Sequence, residues 1–234
     1  MRIYVIRHAD PDYENNTITP AGHLEAQALA ERLRAEGITH IYTSPLGRAR
    51  HTMQYTSQAT GLDGVVLDWT QELAGLAMDL PNQGREMAWD IHGETVRTMR
   101  PLPTHDDWHT RPPLDDPRLR EAFETVQAAS DAFLAEHGYV REGRRYRIGR
   151  PNRDRLAVFT HAGLGLTWLA HLLDLPLPLA WAALHPAPSS VTIVLMDERT
   201  PQYACPRCLA FGDTSHLYHA SLPVQPRGTI ANWD

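Results

Sequence analysis

Short, wholly apolar runs alternate along this chain with longer amphipathic ones. Residues 3–6 and 156–159 are too short for helices, and their β-branched and aromatic content predicts buried strands at 2–6 and 156–160. Similar runs predict strands at 39–43, 65–68, 190–196 and 205–211. Helical stretches fall between them. Over 20–35, Thr19 can cap, Pro20 suits the first turn and Gly37 ends the helix, with Leu24, Ala28, Leu29 and Leu33 as its apolar stripe. Further helices are predicted at 47–59, closed by Gly61, at 119–137 and at 163–174. This alternation predicts an α/β fold, a three-layer α/β/α sandwich with a mainly parallel central sheet.

Residues 77–137 interrupt the alternation. Prolines and aspartates from 101 to 117 mark a long irregular connection, and long loops inside compact domains are often lids or binding loops. The single domain is therefore expected to carry an insert at about 77–155 that partly covers the strand ends. Trp89 and Trp108 within it could form a lid or the face of a homodimer. Residues 138–148 have the form of a hairpin turning at Glu142 and Gly143. Seven arginines crowd 141–155, which is expected of solvated charge on an exposed hairpin. Arg153 is the one with a functional alternative, contact with an anionic substrate. No repeat or low-complexity tract is present.

Chemistry enters at the strand ends. The first strand runs into Arg7 and His8, and the strand at 156–160 runs into His161. In open α/β sheets, ligands bind beyond the carboxyl ends of the strands, so these two histidines can face one another across one crevice. A lone histidine would be an ordinary structural residue; two at equivalent ends, one beside an arginine, point to a site. A guanidinium fork matches phosphate oxygens. Arg48 sits near the start of the helix after the 39–43 strand, where free N–H groups and the helix dipole already favour anions. Arg7 and Arg48 are thus candidate phosphate ligands.

The ordered set of motifs resembles the histidine phosphatase superfamily, also called phosphoglycerate mutase-like. Arg7-His8-Ala9 stands where that family carries Arg-His-Gly. Thr19-Pro20-Ala21-Gly22 with Gln27-Ala28, the Ser44 to Arg48 segment with Thr52 after it, and His161-Ala162-Gly163 follow in the family's order. The resemblance implies that His8 is a nucleophile that takes up the phosphoryl group, that Arg7, Arg48 and His161 hold its oxygens, and that Glu72 is the general acid, with Asp10 as competitor. It implies no metal and no cofactor, and a small phosphorylated substrate. Two departures matter. Ala9 replaces the glycine, and the loop from Asp10 to Glu14 lacks the Glu-Ser and Asn of mutases, which favours a phosphatase-type member. Ala162 after the second histidine argues against the acid phosphatase and phytase branch. The expected function is a phosphomonoester hydrolase; a mutase-type phosphotransferase and a non-catalytic phosphate-binding protein are the alternatives.

Composition narrows this reading. The 234 residues can bury a substantial core, and a net charge of −6 indicates no nucleic-acid partner. All basic residues are arginine, which excludes Schiff-base lysines and a P-loop lysine. No apolar run reaches about twenty residues and no signal-peptide core opens the sequence, so a cytoplasmic protein without membrane contact is expected. Cys205 and Cys208, with His216 and His219 after them, could in principle ligate zinc. A strand at 205–211 would set the two thiols on opposite faces, and two ordinary thiols are the expectation.

Overall fold

The computed structural model describes residues 1–228. Strand β1 (Arg2–Arg7) leads into a loop that holds a tiny hairpin, β2 (Pro11–Asp12) and β3 (Thr17–Ile18). Helix α1 (Pro20–Glu36) begins where Thr19 accepts the Gly22 N–H and stops at Gly37, whose φ of 69° is the left-handed value that glycine tolerates. Then come β4 (His40–Thr43), α2 (Gly47–Thr60) and β5 (Gly64–Val66). The strand expected to reach residue 68 ends earlier, because Asp68–Thr70 closes into a 3₁₀ turn.

The insert is more structured than its composition suggests. It contains the hairpin β6 (Ala77–Leu80) and β7 (Gly84–Met87), the short helix α3 (Gly93–Thr98) and the long helix α4 (Pro117–Glu136), which Asp116 caps. The hairpin of β8 (Tyr139–Glu142) and β9 (Arg145–Ile148) follows as expected. The chain ends through β10 (Arg155–Thr160), α5 (Ala162–Leu172), α6 (Leu177–Ala183), β11 (Val191–Asp197), β12 (Tyr203–Asp213) and α7 (Ser215–His219).

Eight strands form one sheet in the order β5-β4-β10-β1-β11-β12-β9-β8. From β5 to β1 every neighbour is parallel, and from β1 to β8 every neighbour is antiparallel. The central parallel strands β1 and β10 read as continuous apolar runs because both their faces are covered, whereas β5 at the edge is largely exposed. Ile3, Val5, Leu156 and Val158 face Leu134 of α4 and Leu164 and Trp168 of α5. Tyr4, Ile6, Ala157 and Phe159 face Leu29 and Leu33 of α1 and Met53 of α2. Each fully buried aliphatic or aromatic side chain here is worth about 1.5–3 kcal/mol.

Two expectations change. The buried stripe of α1 is Gly22, Glu25, Ala26, Leu29, Ala30 and Leu33, so Leu24 points to solvent and a carboxylate takes a core position. Trp108 cannot be a dimer face or a lid. It is buried with Phe123 and Trp181 in a second core that joins the insert to α5 and α6.

Candidate active site

The pairing register brings the two histidines together. Arg7 of β1 lies opposite Thr160 of the neighbouring β10, so His8 and His161 leave the sheet side by side. Their ring centroids are 5.1 Å apart. Both rings are buried, and both are held well below the usual histidine pKa by burial. For His8 the charges of Arg7 and Arg48 add to this; for His161 the neighbouring His8 comes next, then Arg48 and Arg7. Both are therefore neutral around pH 7.

Hydrogen bonding gives His8 a direction. Its Nδ1 lies 2.8 Å from the Ala9 carbonyl oxygen. A carbonyl only accepts, so Nδ1 carries the proton and Nε2 is left with its lone pair. The same residue is tied to α2, where Thr52 Oγ1 accepts the Ala9 N–H at 3.0 Å and donates to the Arg48 carbonyl at 2.8 Å. The Asp10 N–H donates to Glu25 Oε2 at 3.0 Å, and the Ser189 N–H to the His8 carbonyl at 3.1 Å.

Among the described residues, the polar groups around this pair are under-satisfied. Arg7 is buried and donates through Nη1 to the Pro186 carbonyl at 2.7 Å, but its Nε has no partner. Arg48 stacks near the Tyr13 ring at 5.3 Å, and its Nε is buried and unpartnered as well. His161 Nδ1 is in the same condition. A buried polar group left without a partner costs about 1–3 kcal/mol. All three belong to residues gathered about His8, a chemistry that suits an oxyanion.

Glu72 follows the 3₁₀ turn and caps α5. Its carboxylate accepts N–H groups from Gly163 at 3.1 Å, Leu164 at 2.8 Å and Leu73 at 3.1 Å. Burial raises its pKa, while these three bonds and the Arg48 charge pull the other way. Gly163 has no alternative here. A Cβ at this position would come within 2.6 Å of the Trp89 ring and 2.8 Å of Glu72 Oε1. Trp89 thus brings the insert onto the strand ends.

Asp10, the competitor for the acid role, is committed elsewhere. It pairs with Arg227 Nε at 2.6 Å and accepts the Thr19 hydroxyl at 2.6 Å. Arg153 lies just before β10 begins, at the end of the sheet opposite His161. Six residues of strand span roughly 20 Å, so Arg153 cannot meet a substrate at the histidines. Other arginines of that cluster are neutralised locally: Arg144 on Asp106, Arg147 on Glu142 and Arg141 on Asp174. Cys205 is exposed and Cys208 half-buried, three positions apart on β12, and His216 is bonded to Ser189. No metal-binding group of histidine, cysteine and acidic residues exists among the described residues.

Sequence reasoning missed Ser44, Glu25 and Arg227 as neighbours of the site. Ser44 sat in a quoted motif without a contact assigned to it. Glu25 was hidden by the misread face of α1, and nothing local in the sequence ties Arg227 to Asp10.

An open α/β sheet with two histidines and two arginines gathered at its parallel strand ends, a chemistry that suits an oxyanion, defines a phosphate-handling protein. The chain belongs to the histidine phosphatase superfamily (branch 1), whose family model matches residues 3–207. A "Probable phosphoglycerate mutase GpmB" of Cronobacter sakazakii is 34% identical over 77 residues, covering 29% of this chain and 35% of that relative. The chain therefore matches about a third of the length of such relatives. Among solved structures, a phosphoserine phosphatase of Entamoeba histolytica superposes with a TM-score of 0.61 at 15% identity, covering 92% of this chain and 98% of that one. A mycobacterial glucosyl-3-phosphoglycerate phosphatase bound to VO3 gives 0.56 at 21% identity, covering 90% and 98%. At these identities the structural likeness is one of fold.

Proposed function

We propose that this chain hydrolyses a small phosphorylated metabolite through a phosphohistidine at His8. The observation that carries the proposal is a His8 ring with Nε2 unprotonated, 5.1 Å from the His161 ring and under the charges of Arg7 and Arg48, with one buried nitrogen on each of those three residues lacking a partner among the described residues. Nε2 attacks phosphorus in line, the phosphorus–oxygen ester bond breaks, and Arg7, Arg48 and His161 hold the equatorial oxygens as charge develops. Glu72, protonated at that stage, gives its proton to the leaving alkoxide. Its carboxylate then takes a proton from the water that attacks the phosphohistidine, and inorganic phosphate leaves. The side chains supply the positive charge, so no step calls on a metal. The named activities of the phosphoserine and glucosyl-3-phosphoglycerate phosphatases support a small-metabolite substrate.

A panel of phosphomonoesters, assayed with and without chelator, tests this. Hydrolysis that survives chelation and is inhibited by vanadate is expected. Activity that disappears on chelation and returns with zinc or magnesium would defeat the mechanism. The match to the mutase relative supports a second reading, return of the phosphoryl group to substrate. A coupled mutase assay primed with a bisphosphoglycerate separates the two.

A further inference from the structure

The two catalytic candidates are chemically identical imidazoles 5.1 Å apart, yet the reaction needs one as nucleophile and the other as donor. Something must keep His161 from presenting a lone pair to the phosphoryl group. Its Nε2 lies 2.8 Å from Ser44 Oγ, and both residues are buried. Ser44 follows β4, the strand next to β10, so the sheet itself sets this contact.

The protons can be counted. The Leu46 N–H donates to Ser44 Oγ at 3.2 Å and occupies one of its lone pairs. Among the described residues, the acceptor that remains for the Ser44 hydroxyl proton is His161 Nε2. A buried hydroxyl keeps its donor bond, so the Ser44 O–H donates to Nε2 and the imidazole proton resides on Nδ1. That Nδ1 is buried and unpartnered among the described residues.

We infer that Ser44 is a positioning residue, which fixes the tautomer of His161 so that this ring presents an N–H to the phosphoryl group. His8 and His161 then share one tautomer and turn opposite edges to the site. The Ala9 carbonyl occupies the N–H of His8 and leaves its lone pair free; the Ser44 hydroxyl occupies the lone pair of His161 and leaves its N–H free. The inference rests on His161 acting as an oxygen donor, and its test is independent of turnover.

Long-range proton–nitrogen correlation on histidine-labelled protein reads the tautomer directly, with His161→Gln identifying the signals. The expected pattern for His161 is a protonated Nδ1 and a bare Nε2, both ligand-free and with vanadate. Ser44→Ala should shift His161 toward the Nε2-protonated form and leave the His8 pattern unchanged. Vanadate affinity should fall roughly ten- to hundredfold, the cost of losing one hydrogen bond to a charged group. A protonated Nε2 on His161 in the parent protein, or an unchanged tautomer in Ser44→Ala, would overturn the assignment. Absence of hydrolysis with the expected tautomer would instead count against the proposed reaction.

Discussion

Two of the clusters in which the molecule buries histidines are treated oppositely. Behind α5, His171 Nε2 meets Asp131 at 2.8 Å and its Nδ1 meets Gln127 at 3.2 Å. Tyr146 donates to the same aspartate at 3.0 Å, and Arg141 donates to Tyr146 at 2.8 Å and pairs with Asp174 at 3.3 Å. Polar groups there meet partners from α4, β9 and α5, and the cluster holds those elements together. At the strand ends, two histidines and two arginines lie together, and among the described residues three of their nitrogens are unpartnered and neither guanidinium has a carboxylate in ion-pair contact. The first arrangement is a finished network; the second is an open one. A buried histidine alone distinguishes nothing, whereas the balance of donors and acceptors around it does.

The sharpest way to break this contrast is to remove the rings at the strand ends. His8→Ala should abolish both turnover and the covalent intermediate. His161→Ala should slow hydrolysis roughly 10²–10³-fold, as for loss of one oxyanion donor, and still leave label on residue 8. Rapid-quench labelling with mass spectrometry locates the phosphoryl group, and label on His161 would reverse the two roles. Neither expectation extends to the His171 cluster.

Stability should separate the clusters next. An oxyanion at one hundred times its Kd should stabilise the protein by about 2.7 kcal/mol, roughly 5–10 °C in Tm, because it meets the free donors. Arg48→Met should lose most of that shift in a thermal melt while melting no lower than the parent without ligand. Asp131→Ala should do the reverse, with about 1–3 kcal/mol lost in denaturant titration and kcat unchanged. An Asp131→Ala protein that is stable but inactive would show that the distinction between the clusters is false.

A smaller effect concerns Glu25, which shares features of both clusters. It is buried in α1, where it accepts the Asp10 N–H, and burial raises its pKa from 4.5 to about 7. A raised carboxylate contributes its stability below its unfolded pKa and loses it as pH rises through the folded value. Glu25→Gln should therefore gain on the parent between about pH 5 and 8, by roughly 1–3 kcal/mol at the upper end. The depressed histidines act in the opposite direction. Their contribution is present above 6.5 and fades as pH falls. Urea titrations at several pH values read both trends.

Legibility in the sequence followed the same division. Strands β1 and β10 could be read because burial on both faces leaves unbroken apolar runs, and their ends placed Arg7, His8 and His161 without further information. Arg48 and Glu72 were readable as neighbours of those ends through motif order. The insert was not, because the core of Leu76, Trp108 and Trp181 draws on segments with no shared period. Leu24 misled for a related reason: on a helix whose buried face contains Glu25, hydrophobicity alone selects the wrong stripe. The Asp10–Arg227 pair and the Ser44–His161 contact join positions far apart in the chain, and only the completed sheet brings them together.

The place of β1 in the sheet also bears on how the chain matures during synthesis. β1 is flanked by β10 and β11, and it pairs with no other strand. On a ribosome adding about 5–20 residues per second, roughly 150 residues and 8–30 s separate its emergence from that of its first partner. Throughout that interval a strand of solid apolar character has both edges open, a configuration prone to pairing with other chains. The nascent protein must shelter β1, by transient packing against α1 and α2 or in the hands of a chaperone, until the second histidine arrives on the strand that closes the site.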